Sequence, residues 1–546
     1  MTQPASLTLT ATLSNHGQHP APPELAPGFP QELSTSTNCP DVLTKADIER
    51  LGRERPAVFK STVAEVCFVI TVVASMMMSE FFISGFNVIL PVVVVDLGIE
   101  EASRVWPTAA ISISTAGLLL PFSRLCDIYG ARSIFLLGHA WMMVWSLICG
   151  FSINPIMLII CRAMQGVGCA AFVPAGLALL GQTYRPGPRK NLVFSIWGAL
   201  ACLGFYSGIF IAAVSASFLT WKWFFYIGAI IVAVVVTMGF FSIPRGTHKR
   251  DPAMRMDWLG VVTILPGVIL INFAFIDGGH APNGWKTPYI YVTLIIGVLL
   301  LGLAVYIEGW VAAQPLLPAD IFRPKYMKRL YTILFFSYGV FGIFLFYTSF
   351  YMETVINISP ILSAAWFTPL AVGGMILALT GGFVMHLIPN TVLMFISAGG
   401  FLLSVVLFAL IPETAGHSLS YLYWAFVFPA MVGGTVGVDI LFNVTNVYIT
   451  TAMPHRLQAT ASGWINSLLY FAMSFWLGVS ELAVSTAINY SKDGIDQAGQ
   501  LKIGFWVGVA MVGVVAIFTC TIRMGQASSD LTADEKAALE AQQESS

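Results

Sequence analysis

The sequence predicts an all-α, polytopic membrane protein with fourteen transmembrane helices. Three observations carry that expectation. Of the 546 residues, 57% are hydrophobic and only 10% are charged, against about 25% charged in soluble chains. Apolar segments of about 20 residues recur along the chain, the length a helix needs to cross a hydrocarbon core of about 30 Å. The Lys and Arg residues between those segments sort strongly to one side.

Taken in order, residues 1–60 are rich in Pro, Ser, Thr, Gln and His. They lack the charged start, short apolar core and small-residue cleavage site of a signal peptide, and read as a disordered cytoplasmic tail in which 41–55 can form a short surface helix. Spans follow at approximately 66–95, 105–122, 133–153, 156–182, 192–214, 222–243, 257–276, 288–308, 330–352, 362–386, 391–411, 421–448, 460–483 and 503–523. The break between the tenth and eleventh rests on HLIPNT alone. Residues 524–546 are polar and read as a cytoplasmic tail.

With a cytoplasmic N-terminus, twenty-one of the 27 Lys and Arg residues fall inside. Arg104, Lys222, Lys286, Lys492 and Lys502 fall outside, and Arg162 alone stays in the membrane. That asymmetry places both termini in the cytoplasm. The net charge of −1 offers nucleic acid no basic patch. The eight cysteines lie mostly in apolar segments with no paired spacing, so neither a disulfide framework nor a metal site is expected, and no cofactor is implied. No phosphate loop, HExxH or GxSxG motif occurs, and no nucleophile–base pair is visible; neither an ATP-driven pump nor an enzyme is expected.

An arginine at mid-helix costs about 2.5–3.5 kcal/mol on insertion scales, so Arg162 needs a partner or a wet cavity. Helical rise places it roughly 9 Å below the outer boundary of span 4, and places Glu80 of span 1 at about the same depth. An ion pair or a shared water-filled cavity follows, serving either a proton or substrate site or helix packing. Gln165 is one turn from Arg162. Asp439, with Asn443 on the same face of span 12, is the other intramembrane charge; this stripe either lines a pathway or hydrogen-bonds a neighbouring helix. Glu65, Asp277, Glu308, Glu353 and Glu481 fall near span ends, where water reaches. Gly204 and Gly208 form a small-xxx-small pair for close helix approach. Asn489-Tyr490-Ser491 is an acceptor sequence for a glycan in the longest external loop.

Several motifs then converge. Ser123-Arg-Leu-Cys-Asp127-Ile-Tyr-Gly130-Ala-Arg132 resembles the signature loop of the major facilitator superfamily, with Leu125, Asp127, Gly130 and Arg132 matching. Arg162 with Gln165 and Gly166 resembles the span-4 motif of drug:proton antiporters. WKWFFYIGAI at 221–230 and PLLPADIFRP at 315–324 are similar to segments of the fourteen-span antiporter subfamily, and RAMQGVG and GQTYRPGPRKNLVFSIWGA resemble fungal exporters of the aminotriazole-resistance type. The resemblance covers 61–523. Two departures stand out: span 5 lacks the antiporter proline after Gly208, and Phe82 occupies the usual acidic place before Asn87-Val-Ile-Leu-Pro91.

The resemblance implies a major facilitator fold: an N-terminal six-helix bundle (61–244), two inserted helices with flanking loops (245–329) and a C-terminal bundle (330–523), alternating access to a central cavity. Asp127, Gly130 and Arg132 would form a cytoplasmic gate. The expected function is proton-coupled efflux of a small organic compound (drug, toxin or secondary metabolite) from a cell in the plasma or vacuolar membrane, as a monomer in lipid. Uptake, or movement of ammonium or borate, is the alternative within transport; a transporter-like membrane sensor is the alternative of another class.

Overall fold

The computed structural model describes residues 54–184, 188–245, 254–384, 387–413, 416–491 and 494–525. Residues 1–53 of the N-tail, with nearly all of the surface helix expected at 41–55, the C-tail after Gly525, and His386 in the tenth connection lie outside the described residues.

Fourteen helices long and apolar enough to span a bilayer run in the expected order. They are α1 (Thr62–Asp96), α2 (Trp106–Tyr129), α3 (Ala131–Gly150), α4 (Pro155–Thr183), α5 (Pro188–Phe218), α6 (Lys222–Ser242) and α7 (Trp258–Asp277). Then come α8 (Pro288–Tyr306), α9 (Met327–Phe350), α10 (Pro360–Val384), α11 (Asn390–Ala409), α12 (Phe428–Ala452), α13 (His455–Tyr490) and α14 (Gln497–Cys520). No strand occurs among the described residues. Lipid offers no hydrogen bonds, so a spanning segment must satisfy its backbone internally. The helices start where local chemistry starts them. Ser61, Asn154 and Asp496 accept first-turn amides at α1, α4 and α14, and Pro155 and Pro288 open α4 and α8, where a missing N–H costs nothing.

Helix packing repeats with an offset of eight. Helix α1 packs on α5 as α9 packs on α13, α2 on α4 as α10 on α12, and α3 on α6 as α11 on α14. The broadest contacts between the halves are α2 with α13 and α5 with α10, and α1 also touches α9 and α10. This is the arrangement of two six-helix bundles. Helices α7 and α8 form an added hairpin; α7 leans on α2 and α13, while α8 turns Ile295, Val298, Leu299, Leu303 and Val305 outward. Such an apolar exterior is stable only against lipid.

The signature segment is not a loop. Helix α2 continues to Tyr129, and a single residue, Gly130, turns the chain into α3 at φ 93°. Only glycine takes that turn without steric cost.

Candidate transport cavity

A cavity of about 160 Å³ lies between the two halves. Met76, Glu80 and Ile83 recur at helical spacing and turn one face of α1 into it. Helix α5 adds Trp197, Cys202 and Phe205, α9 adds Tyr338 and Phe341, α10 adds Leu370 and Gly374, α12 adds Thr435 and Asp439, and α13 adds Asn466 and Tyr470. Cross-bundle hydrogen bonds hold the walls together: Ser79 Oγ to Tyr470 Oη at 3.1 Å, and Tyr206 Oη to Thr368 Oγ1 at 2.7 Å.

Two carboxyl groups enter this cavity from opposite halves. Glu80 makes no side-chain hydrogen bond or ion pair among the described residues. Asp439 accepts from Thr435 Oγ1 at 2.7 Å and has no ion pair among the described residues. A Cβ placed on Gly374 would come within 3.0 Å of Asp439 Oδ2 and 3.3 Å of Cys202 Sγ, so the glycine makes room for the carboxylate. Unpaired carboxyl groups in an apolar, membrane-buried chamber are costly. They are suited to taking up a proton or holding a cationic ligand, and the aromatic faces around them suit an apolar or cationic body.

The ion pair expected between Glu80 and Arg162 is not formed. Arg162 is fully buried on α4, and its guanidinium donates instead from Nε to the carbonyl of Pro107 at 3.2 Å, and from Nη1 to the carbonyl of Phe82 and to Gln165 Oε1, both at 3.0 Å. It also sits 4.1 Å from the centre of the Phe86 ring. Gln165 Nε2 passes the chain of bonds to Ser146 Oγ on α3 at 2.9 Å. Arg162 therefore ties α1, α2, α3 and α4 together, and neither it nor Gln165 lines the cavity. The physical reason is azimuth. Glu80 and Phe82 are two residues apart, about 200° around α1, so the side that meets Arg162 is not the side that carries Glu80. Asn443 likewise turns inward on its own helix, its amide donating to the Asp439 carbonyl at 2.9 Å.

Gly204 and Gly208 do what their spacing suggested. A Cβ at Gly204 would come within 2.5 Å of the Met77 carbonyl oxygen, and one at Gly208 within 2.4 Å of that of Phe81. Helices α1 and α5 thus meet backbone to backbone, and Ser84 Oγ donates across the contact to the Phe205 carbonyl at 2.7 Å. This contact fixes the wall that presents Glu80. At the signature segment, Arg132 donates to the carbonyls of Ile243 and Phe240 at 3.1 and 2.9 Å, capping the end of α6. Asp127 lines a polar pocket with Ser123, Arg124 and Gln314, where Arg124 Nη2 donates to the Gln314 carbonyl at 3.1 Å. Asn489 is exposed, in the last turn of α13 rather than in an extended loop.

One charged cluster escaped the sequence reading. Arg104, assigned to an external loop, is buried at the entrance of α2, and Glu481, assigned to a wet span end, is 1% exposed on α13. Arg104 Nη2 and His280 Nε2 approach Glu481 Oε1 at 3.5 and 3.2 Å, and Tyr347 Oη donates to Oε2 at 3.3 Å. Two opposite charges bordering apolar runs are the only sequence trace of this contact.

The model for the Major Facilitator Superfamily matches residues 72–477. The chain is 31% identical over 500 residues to the efflux pump terJ of Aspergillus terreus, covering 90% of this chain and 93% of that protein. It is 32% identical over 483 residues to the low affinity ammonium transporter of Saccharomyces cerevisiae, covering 87% and 90%. It is 30% identical over 447 residues to the aminotriazole resistance protein of the same yeast, covering 80% of each. The structure is similar to that of an auto-inhibited POT family peptide transporter, with a TM-score of 0.60 at 12% identity, covering 85% of this chain and 99% of that one. With its fourteen apolar helices and its two bundles enclosing one chamber, the chain is an integral, multi-pass membrane transporter and belongs to the Major Facilitator Superfamily.

Proposed function

We propose that this protein moves a small organic compound out of the cytoplasm in exchange for protons, by alternating access to the cavity that holds Glu80 and Asp439. The observation that carries the reading is the pair of carboxyl groups facing one small apolar chamber from opposite bundles, with no Lys, Arg or His among the described residues that line it. Protonation removes the cost of burying such groups, and release of those protons to one side ties their traffic to the passage of substrate. The bundles are residues 61–244 and 330–523, with 245–329 as the insertion. The positive-inside asymmetry supports cytoplasmic termini, Asp127, Gly130 and Arg132 at the cytoplasmic gate, and Asn489 as an external glycan acceptor. The reading takes the protein as a monomer in the plasma membrane.

A second reading is movement of ammonium. It is favoured by the yeast relative named for that activity, and by two carboxylates with no Lys, Arg or His among the described residues that line their cavity. One experiment separates the two. Purified protein in proteoliposomes is given an imposed pH gradient and a panel of aromatic amines, apolar drugs and methylammonium. Export predicts gradient-driven movement of an organic compound; methylammonium flux alone selects the second reading; organic flux indifferent to the gradient sinks proton exchange.

A further inference from the structure

Away from the cavity, an open pocket of about 790 Å³ lies where the chain enters α9. Its lining includes Arg323, Lys325, Lys328 and Arg329, and no carboxylate. Four cations in seven residues at the mouth of a spanning helix repel one another. Their position makes matters worse, because Lys328 and Arg329 stand in the first turn of α9, where the helix dipole is positive. The helix has no side-chain cap, since its N-cap is Tyr326, held at φ 70°. That left-handed turn brings Lys325 Nζ and Arg329 Cζ to 5.1 and 5.7 Å from the same Tyr326 ring.

Local partners leave much of this charge unanswered. Arg323 has Asp320 at 3.2 Å, and Arg329 Nη1 donates to the Thr521 carbonyl at 2.6 Å. Lys325 is held by its backbone, whose carbonyl accepts from Tyr448. The side chains of Lys325 and Lys328 are exposed and make no hydrogen bond or ion pair among the described residues. An uncapped helix start, a ring of cations and an open pocket at the level where head groups lie make a receptor for an anion.

We infer that Arg323, Lys325, Lys328 and Arg329 form a binding site for the phosphate-bearing head group of an anionic membrane lipid, seated against the start of α9. A lipid is the occupant because the four cations stand at the end of a spanning helix, the level at which anionic head groups lie, and Arg329 is bonded to the end of α14, whose Ile517 is exposed. A phosphomonoester suits the site best, since it carries more than one charge and several acceptor oxygens.

The test is a titration of the purified full-length chain in detergent, read by native mass spectrometry. The probes are dioctanoyl phosphatidylinositol 4-phosphate, dioctanoyl phosphatidylcholine and free inositol 1,4-bisphosphate. The phosphoinositide is expected to bind well below the concentration at which phosphatidylcholine does, and added salt is expected to weaken it. At about fivefold per cation, Lys325→Gln/Lys328→Gln is expected to weaken it about 25-fold, and Lys328→Glu alone at least fivefold. Lys222→Gln, at the start of α6, is expected to change nothing. Lysines without hydrogen bonds are dispensable to the fold, so the variants should keep the wild-type melting temperature. Equal binding of phosphatidylcholine, or wild-type affinity in both Lys328 variants, overturns the proposal. Free inositol bisphosphate binding as tightly as the lipid overturns the lipid as its source. Binding seen only after removal of residues 526–546 assigns the site to that acidic segment and overturns it as well.

Discussion

Arg104 Nη2 lies 3.5 Å from Glu481 Oε1, joining the entrance of α2 to the far part of α13. Helices α2 and α13 make one of the two broadest contacts between the halves of the molecule, so this ion pair crosses the seam between the bundles. His280, from the turn between α7 and α8, reaches the same carboxylate oxygen, and Tyr347 of α9 reaches the other. Three parts of the chain, the two bundles and the inserted hairpin, thus share one buried acceptor. Glu101 holds the other side of Arg104 at 3.1 Å.

Removing one member of a buried pair strands the other. Glu481→Leu is expected to destabilise the detergent-solubilised protein by about 3–5 kcal/mol, and Arg104→Met/Glu481→Leu to recover at least half of that loss. Thermal unfolding of the two single variants and the double variant measures the coupling. Additive losses would show that the pair carries no energy of its own.

Arg162 rests on geometry rather than on charge. Its fork serves the carbonyls of Pro107 and Phe82 and the Gln165 oxygen at once, with the Phe86 ring against its plane. A lysine keeps the charge but cannot serve three divergent acceptors or stack. Arg162→Lys is therefore expected to lose about 2–4 kcal/mol, from one or two charge-assisted bonds. Gln165→Leu takes one of its two acceptors from Arg162 Nη1 and the donor from Ser146 Oγ, and is expected to cost about 1–3 kcal/mol. Melting temperatures check both; a Lys variant as stable as wild type would mean that charge alone matters.

The glycine contact between α1 and α5 gives a sharper contrast. At Gly208 an added Cβ meets the Phe81 carbonyl oxygen at 2.4 Å, a backbone atom that cannot step aside, whereas at Gly198 nothing lies within 4 Å. Gly208→Leu is expected to abolish the monodisperse, folded yield, and Gly198→Ala to leave it unchanged or improved, since alanine favours helix. Size-exclusion profiles of the two variants decide it. Similar profiles would show that the helices separate easily at this point.

Residue by residue, what was legible follows from what one-dimensional patterns encode. Hydropathy fixes how often the chain crosses the membrane, so all fourteen helices were readable, and small-xxx-small spacing named Gly204 and Gly208 because both contacts lie on one helix face. Relative level was readable too: Arg162 meets the carbonyl of Phe82, two residues from Glu80. Azimuth and partnership were not. Glu80 turns to the cavity while the carbonyl of Phe82 meets Arg162, and Asp439 meets Glu80's chamber only because α1 and α12 close around it. Glu481 looked like a wet helix end because nothing in the sequence shows that Arg104 and His280 cover it.

The two cavity carboxyl groups allow stability and function to be separated. Glu80 has no side-chain partner among the described residues to lose, so Glu80→Gln removes an unpaired, half-buried acid while keeping its shape. It is expected to raise the melting temperature or leave it unchanged, because the neutral amide costs less to bury than the carboxylate. The same variant is expected to abolish gradient-driven transport in proteoliposomes. Asp439→Asn differs in one respect. Thr435 Oγ1 donates to Oδ2 at 2.7 Å, and if the amide nitrogen takes that place the bond is lost, so a small destabilisation of about 1 kcal/mol is expected beside the loss of coupling. Paired melting and flux measurements on the two variants, with and without an imposed pH gradient, read both effects. A Glu80→Gln protein that unfolds more easily yet still transports against the gradient would reverse the assignment, making Glu80 a structural group and leaving Asp439 as the proton-handling acid of the cavity.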